Sequence, residues 1–146
     1  MSDAHNLARQ TAAAMWTMDH ASQGLGMEIL DIAPGMAKLS MPITPTMLNG
    51  HGTAHGGFIY TLADSAFAFA CNSHNDRAVA AHCSITYLRP GRAGHKLIAT
   101  AKEVSRVGRS GIYDVEVTQD GEMIAQFRGH SRLIGGTVTA TPTGES

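Results

Sequence analysis

Apolar and polar positions change period along this chain, and each change marks an element. From about His5 to Ala21 the chain is rich in Ala, Met, Leu and Gln. It reads as an amphipathic helix to be laid against the outside of a sheet. Gly24 and Gly26 end it. Met27–Ile32 and Met36–Ile43 follow as two strands, with Pro34-Gly35 as the turn between them. In the second, Ala37, Leu39 and Met41 alternate with Lys38 and Ser40, the pattern of a half-buried strand. Pro42 and Pro45 then open a loop that leads to Asn49.

Over about 57–74 the period becomes helical. Ile59, Leu62, Ala63, Ala66 and Ala70 form a stripe that Phe58 and Phe69 widen. A helix apolar over so much of its circumference is buried on most sides, so it is the expected centre of the fold. Asn72, Ser73 and Asn75 end it. The rest reads as strand. Val79, Ala81, Cys83, Ile85 and Tyr87 alternate with polar neighbours up to Arg89-Pro90-Gly91. Lys96–Val107 is a long strand with weaker alternation, and Gly108 and Gly111 flank the turn into a strand over Ile112–Thr118. Asp120-Gly121 is a strong signal for a type I′ hairpin. A last alternating run from Met123 to Leu133 leads to Gly135-Gly136.

These elements predict an α+β fold: an N-terminal helix, then a mostly antiparallel sheet wrapped around one long central helix. The whole chain, 1–146, reads as a single domain. Its core spans about 10–136, and 137–146 is expected to be a disordered, Thr-rich tail.

Charged residues are 16% of the chain, against roughly 25% in ordinary soluble domains. Surface is therefore expected to be covered by a second copy. A net charge of -1 gives no general attraction to nucleic acid or to an anionic membrane. No apolar run approaches membrane-spanning length, and the start, Met-Ser-Asp-Ala-His, does not look like a signal peptide. With two cysteines, Cys71 and Cys83, and no disulfide framework, a reducing cytoplasm is the expected setting. Cys71 reads as core packing.

The chemistry gathers between Asn49 and Asp64. Gly56 and Gly57 stand at the start of the central helix, where unpaired N–H groups carry partial positive charge. Without a side chain, Gly56 lets a ligand oxygen come close, as in an oxyanion site. Asp64 lies among Leu62, Ala63, Ala66 and Phe67. Apolar surroundings raise a carboxyl pKa and make its anion a better base near neutrality. The alternative is a structural ion pair between Asp64 and Arg89 or Arg128. Asn49 and His55 add polar groups that either orient water and substrate or serve the loop alone. His51 and His55 have a spacing that could hold zinc, but no third ligand accompanies them, so no metal is expected.

Eight residues separate Gly56 from Asp64, about 12 Å along a helix. One carbonyl cannot lie within hydrogen-bonding range of both in the same chain. If both act on one carbon, they come from two subunits of a symmetric dimer with central helices antiparallel, which then holds two identical sites.

Asn49-Gly50, His55-Gly56-Gly57 and Leu62-Ala63-Asp64 resemble the active-site signature of the hotdog-fold acyl-CoA thioesterases. The likeness is to the branch with an acidic residue on the central helix, and is closest to the phenylacetyl-CoA thioesterases of phenylacetate catabolism. It extends through Met47–His51, Asp64–Asn72, Leu88–Gly91, Gly111–Glu116 and Phe127–Gly129, over roughly residues 10–136. The resemblance implies a hotdog fold, a dimer with shared sites and a dimer of dimers. It implies hydrolysis of phenylacetyl-CoA or a related aryl- or arylacetyl-CoA to the acid and free CoA. Asp64 would be base or nucleophile, Gly56 N–H would polarise the carbonyl, and Asn49 and His55 would orient water and acyl group. Some relatives carry Ser or Thr one turn beyond the acid; here that position is Ala68. No cofactor is implied, CoA being part of the substrate. Its phosphates need cations, for which Arg89, Arg106 and Arg109, with Arg92, are candidates. The rival readings are a hotdog dehydratase or hydratase using His55 with Asp64, and a non-catalytic acyl-CoA-binding dimer.

Overall fold

Ser2 starts the first helix by accepting the His5 backbone N–H on its hydroxyl, a standard N-cap. In the computed structural model, which describes residues 2–140, helix α1 covers Asp3–Met18. It does not continue to Ala21 as the periodicity suggests. Asp19 stops it and caps a second short helix, α2, His20–Gly24. The carboxylate accepts from Ser22 N–H at 3.0 Å, so a capping residue inside the apolar pattern restarts the helix.

Strands β1 (Glu28–Ala33) and β2 (Met36–Pro42) form the expected hairpin, with Gly35 at φ 71° in its turn. A 3₁₀ turn at Pro45–Met47 leads to helix α3, Gly56–Cys71. Strands β3 (Asp76–Tyr87), β4 (Lys96–Val107), β5 (Ser110–Gln119) and β6 (Glu122–Thr137) complete one six-stranded antiparallel sheet. Its order is β1-β2-β4-β5-β6-β3. Helix α3 thus carries the chain across the whole sheet, so β3, next in sequence, lies at the far edge. At the β5–β6 turn, Asp120 and Gly121 both have positive φ, 51° and 81°, as a type I′ turn demands.

The sheet packs around α3. Leu39 and Met41 on β2, Leu97, Ala99 and Ala101 on β4, and Val115 and Val117 on β5 meet Leu62, Ala63, Ala66 and Phe67 of the helix in one buried cluster. Each large apolar side chain buried there contributes about 1.5–3 kcal/mol. Gly129 on β6 makes room for the helix: a Cβ there would lie 2.6 Å from the Phe67 ring. Helix α1 packs beside β1, with Ala8, Thr11 and Ala12 buried and Trp16 against Phe69 of α3.

Four details differ from the periodicity. Ser40, at a polar position of β2, is buried at 2% exposure and its hydroxyl has no hydrogen-bond partner among the described residues. The weak alternation of β4 has a cause: beyond the irregularity at Glu103/Ser105 the strand projects into solvent, with Val107 74% exposed. Strand β3 keeps its alternation but not its burial, since Val79 and Tyr87 are each 47% exposed. The start of the tail expected from residue 137 is held in place. β6 runs to Thr137, and the Asn75 side chain binds the backbone of Val138 and Thr139. The rest of that expected tail, 141–146, lies outside the described residues.

Candidate active site

The loop before α3 is built by its own polar groups. Asn49 Oδ1 accepts from the His51 N–H at 2.9 Å and from the Thr53 N–H at 3.2 Å. This Asx-type turn uses the carbonyl side of the amide internally. His55 N–H donates to Met47 O, and Ala54 N–H to Gly91 O, which stitches the loop to the segment after β3.

His55 is the N-cap of α3. Its Nδ1 accepts from Gly57 N–H at 3.0 Å, and Phe58 N–H donates to His55 O. A ring nitrogen that accepts carries no proton, so in that state the proton sits on Nε2, which is free to donate. The Gly56 N–H is left over. No hydrogen bond uses it among the described residues. It lies on an open cleft of about 400 Å³ lined by Asn49, Gly56, Ile59, Tyr87, Arg89 and their neighbours. Tyr87 is the member that sequence reasoning missed. Its hydroxyl donates to Gly56 O at 2.8 Å, and its ring lies so close that a Cβ at Gly56 would meet Cζ at 2.9 Å. Nothing local signals this contact, because it joins residues thirty-one positions apart.

Asp64 stands more than two turns along α3 and is half-buried. The ion-pair alternative does not hold. Arg128 forms a two-pronged pair with Asp114 at 2.6 and 2.8 Å, and Arg89 reaches Met123 O and Glu122. Asp64 makes no hydrogen bond or ion pair among the described residues. Burial raises its pKa above the ordinary carboxyl value, and the charge of Asp19 raises it further. Its titratable neighbours, Tyr60, Cys71 and Cys83, are all pushed up chiefly by burial, Tyr60 and Cys71 to about 12. Cys71 and Cys83 are free thiols, and the inert, buried Cys71 fits its reading as core. Ser65, next to Asp64, turns away and meets the Ser22 hydroxyl at 2.8 Å. With Ala68 one turn on, α3 offers no serine or threonine hydroxyl one turn beyond the acid.

Within one chain the candidates fall into separate groups. Asn49, His55, Gly56 and Arg89 share the start of α3, whereas Asp64 lies about 12 Å along it. Arg106 and Arg109 are elsewhere, in a second cleft of about 230 Å³ at the end of α3, beside Cys71 and His74. Arg106 is paired with Glu103 at 3.3 Å. Arg92, the further candidate, sits near Arg89 after β3, its backbone N–H on Gln119. Another cleft, of about 540 Å³ between α1 and β1, holds none of the candidates. No group of three His, Cys, Asp or Glu side chains is placed to hold a metal among the described residues. No helix there is long and apolar enough to cross a membrane.

Residues 51–126, just over half of the chain, match the model of the thioesterase superfamily. The chain is 47% identical over 133 residues to the acyl-coenzyme A thioesterase PaaI of Escherichia coli, covering 90% of this chain and 95% of that one. The structure of the E. coli PaaI protein from the phenylacetic acid degradation operon superimposes with a TM-score of 0.90, covering 91% of this chain and 97% of that one at 44% identity. A Streptococcus mutans protein solved bound to acetyl CoA aligns with a TM-score of 0.73 at 26% identity, covering 76% of this chain and 90% of that one. The six strands and the crossing helix are thus those of the hotdog fold.

Proposed function

The chain belongs to the thioesterase superfamily and is an acyl-CoA thioesterase, and we propose that its substrate is phenylacetyl-CoA or a related aryl- or arylacetyl-CoA, cleaved in sites shared between two subunits. The observation that carries the shared site is the distance along α3. The unpaired Gly56 N–H and the unpartnered Asp64 carboxylate are the two groups suited to the reaction, and one rigid helix keeps them about 12 Å apart. Two copies of α3 side by side and antiparallel bring each Gly56 to the partner subunit's Asp64.

Strand β3 is the edge for such pairing. It bonds only to β6 among the described strands and exposes Val79 and Tyr87, with Leu88 just beyond its end. An unpaired edge of this length is a template for another strand. Pairing two β3 edges continues the sheet and buries the alternating face that is open in one chain. This supports a dimer, and a dimer of dimers would cover further surface of a sparsely charged chain.

In the shared site, Gly56 N–H donates to the thioester oxygen and stabilises the negative charge that grows there. The His55 Nε2–H and the Asn49 amide are second donors beside it. The partner subunit's Asp64 takes a proton from water as its oxygen adds to the carbonyl carbon; the C–S bond then breaks and CoA leaves as the thiol once protonated. In the covalent variant the Asp64 oxygen itself attacks, CoA leaves, and water opens the mixed anhydride. Single-turnover hydrolysis in ¹⁸O-water separates them, because only the covalent route exchanges label into the Asp64 carboxyl.

The same register gathers the arginines. With Gly56 opposite the partner subunit's Asp64, the partner helix ends seven residues, about 10 Å, further along. That places the partner subunit's Arg106 and Arg109 on the side of Arg89, a cationic patch for CoA phosphates. The dehydratase reading is not favoured, because the matched family and the 47% identical relative are thioesterases. A thiol-release assay over an acyl-CoA panel tests the substrate. Arylacetyl thioesters should have the highest kcat/KM, and a short aliphatic preference would overturn the choice. A heterodimer of Asp64→Ala with a Gly56-site variant tests sharing, since only a shared site regains activity from two dead chains.

A further inference from the structure

Asp64 is approached from the N-terminal side by a polar chain that the reaction as described leaves unused. Ser22, at the foot of α2, is 1% exposed. Its hydroxyl lies 2.7 Å from Asp19 Oδ2 and 2.8 Å from the Ser65 hydroxyl. A serine has one proton, and a carboxylate can only accept. Ser22 therefore donates to Asp19, and Ser65 donates to Ser22. The order is fixed: Ser65, Ser22, Asp19. Asp19 spends both oxygens on Ser22, the second accepting its backbone N–H at 3.0 Å.

A buried hydroxyl pair between two helices is costly unless satisfied, and here it is anchored on the residue adjacent to the proposed base. We propose that Asp19 and Ser22 are positioning residues of the thioesterase: the hydroxyl chain clamps the turn of α3 that carries Asp64, and Asp19 brings a carboxylate to the same corner. The inference rests on Asp64 being the base or nucleophile. Of the titratable groups that interact with Asp64, Tyr60 and Cys71 lie on its own helix, Cys83 on β3 and Asp19 at the head of α2. The first three are neutral phenol or thiols near neutrality, so Asp19 is the charged member. A carboxylate beside a carboxyl disfavours its ionisation, in line with the raised proton affinity of Asp64. The corner thus works in two separable ways, by clamp and by charge.

Two substitutions separate them. Asp19→Asn keeps an N-cap oxygen for Ser22 N–H and removes the charge. Its amide donates to Ser22, which then donates to Ser65, so the chain survives with its direction reversed. Ser22→Ala cuts the chain and leaves the charge. The experiment is the pH profile of kcat/KM for phenylacetyl-CoA with the full-length protein. Activity requires ionised Asp64, so it falls as pH drops through that group's pKa. In Asp19→Asn the acid limb should move to lower pH, raising kcat/KM at the wild-type half-maximal pH by up to about two-fold. Asp19→Ser, a neutral cap of another shape, should move it the same way. Ser22→Ala should lower kcat with little change in KM, its limb staying near the wild-type position. Limbs of Asp19→Asn and Asp19→Ser that coincide with wild type would overturn the proposal. Asp64→Asn is the control: if it is dead while the Asp19 limbs stand still, the Asp19 inference alone fails; if it is fully active, the reading of Asp64 itself has failed.

Discussion

The two ends of α3 are built to opposite rules. At its C-terminal end the buried polar side chains of the terminating turn are spent. Asn72 donates to Ala68 O and Ala78 O and accepts from Ala78 N–H. Ser73 donates to Ala70 O and accepts from Gly35 N–H, both at 2.7 Å. Asn75 holds the end of β6. All three are buried, at 6%, 1% and 3% exposure. At the N-terminal end His55 is exposed, and Gly56, whose N–H is unpaired among the described residues, lines an open cleft. The carbonyls at one end are capped because burial would otherwise leave them unsatisfied. At the other end His55 takes two donors, Gly57 N–H and Phe58 N–H, and one, Gly56 N–H, is left unpaired among the described residues. One helix thus anchors the sheet with its tail and presents chemistry with its head.

The strongest test of that division is Asp64→Asn. It should lower kcat by about 10²–10⁴, the usual range for a lost general base, while folding and CoA binding persist. Steady-state kinetics with calorimetric CoA titration will show it. Gly56→Ala comes next, at about 10²–10³ in kcat, as for a lost oxyanion donor. The N–H remains, but the new methyl would sit 2.9 Å from Tyr87 Cζ and in the path of the substrate oxygen. Thermal stability should hardly fall, since alanine favours a helix by about 1 kcal/mol over glycine. An active Gly56→Ala enzyme would mean that the open end of α3 is not where the carbonyl binds.

Much of this was legible in the sequence, where one element speaks for itself. The alternation of β5, the Asp120-Gly121 turn and the apolar breadth of α3 are local and came through with near-correct bounds. So did the resemblance carried by His55-Gly56-Gly57 and Asp64. What was hidden depends on the far side of a contact. Gly111 looked like a turn residue but lies inside β5, where a Cβ would meet Ser131 Oγ at 2.6 Å. Tyr87 read only as one of the alternating positions of β3 and is the neighbour of Gly56. Asp19 was readable in principle, since Asp-x-x-Ser is capping spacing, but the helical pattern ran through it and masked the break. The separation of Arg89 from Arg106 and Arg109 could be known only once the sheet was closed.

A smaller effect, opposite in kind, belongs to the closed end. Asn72→Ala removes the side-chain partner of Ala78 N–H and one donor each from Ala78 O and Ala68 O, the latter keeping the residue 72 backbone N–H. It should cost about 1–3 kcal/mol of stability, read as a lower denaturant midpoint with unchanged slope. The kcat of the folded fraction should match wild type. A large loss of kcat at full folding would break the contrast between the two ends.

The smallest effect tests whether the site carries a stability cost. The Asp64 carboxyl has a folded pKa above its unfolded value. The folded protein therefore binds that proton more tightly than the unfolded chain does, and this group favours folding most at low pH. Its contribution is lost as pH rises from the ordinary carboxyl range through the raised folded value, because the folded state must then hold a charge in a half-buried, apolar place. Other carboxyls work in the reverse direction: the Asp114 pKa is lowered, mainly by its hydrogen bonds from Arg128, so its stabilisation is lost as pH falls. The two can be told apart by difference. Asp64→Asn should raise the melting temperature at pH 7 relative to wild type, and the gain should shrink as pH falls through the raised folded value and be gone below the ordinary carboxyl range. Solvent reaches part of Asp64 in a single chain, which keeps the gain small; a dimer that covers α3 makes it larger. A gain that grows toward acid would mean that Asp64 is stabilised as an anion by a partner, and that the open half of the helix is satisfied after all.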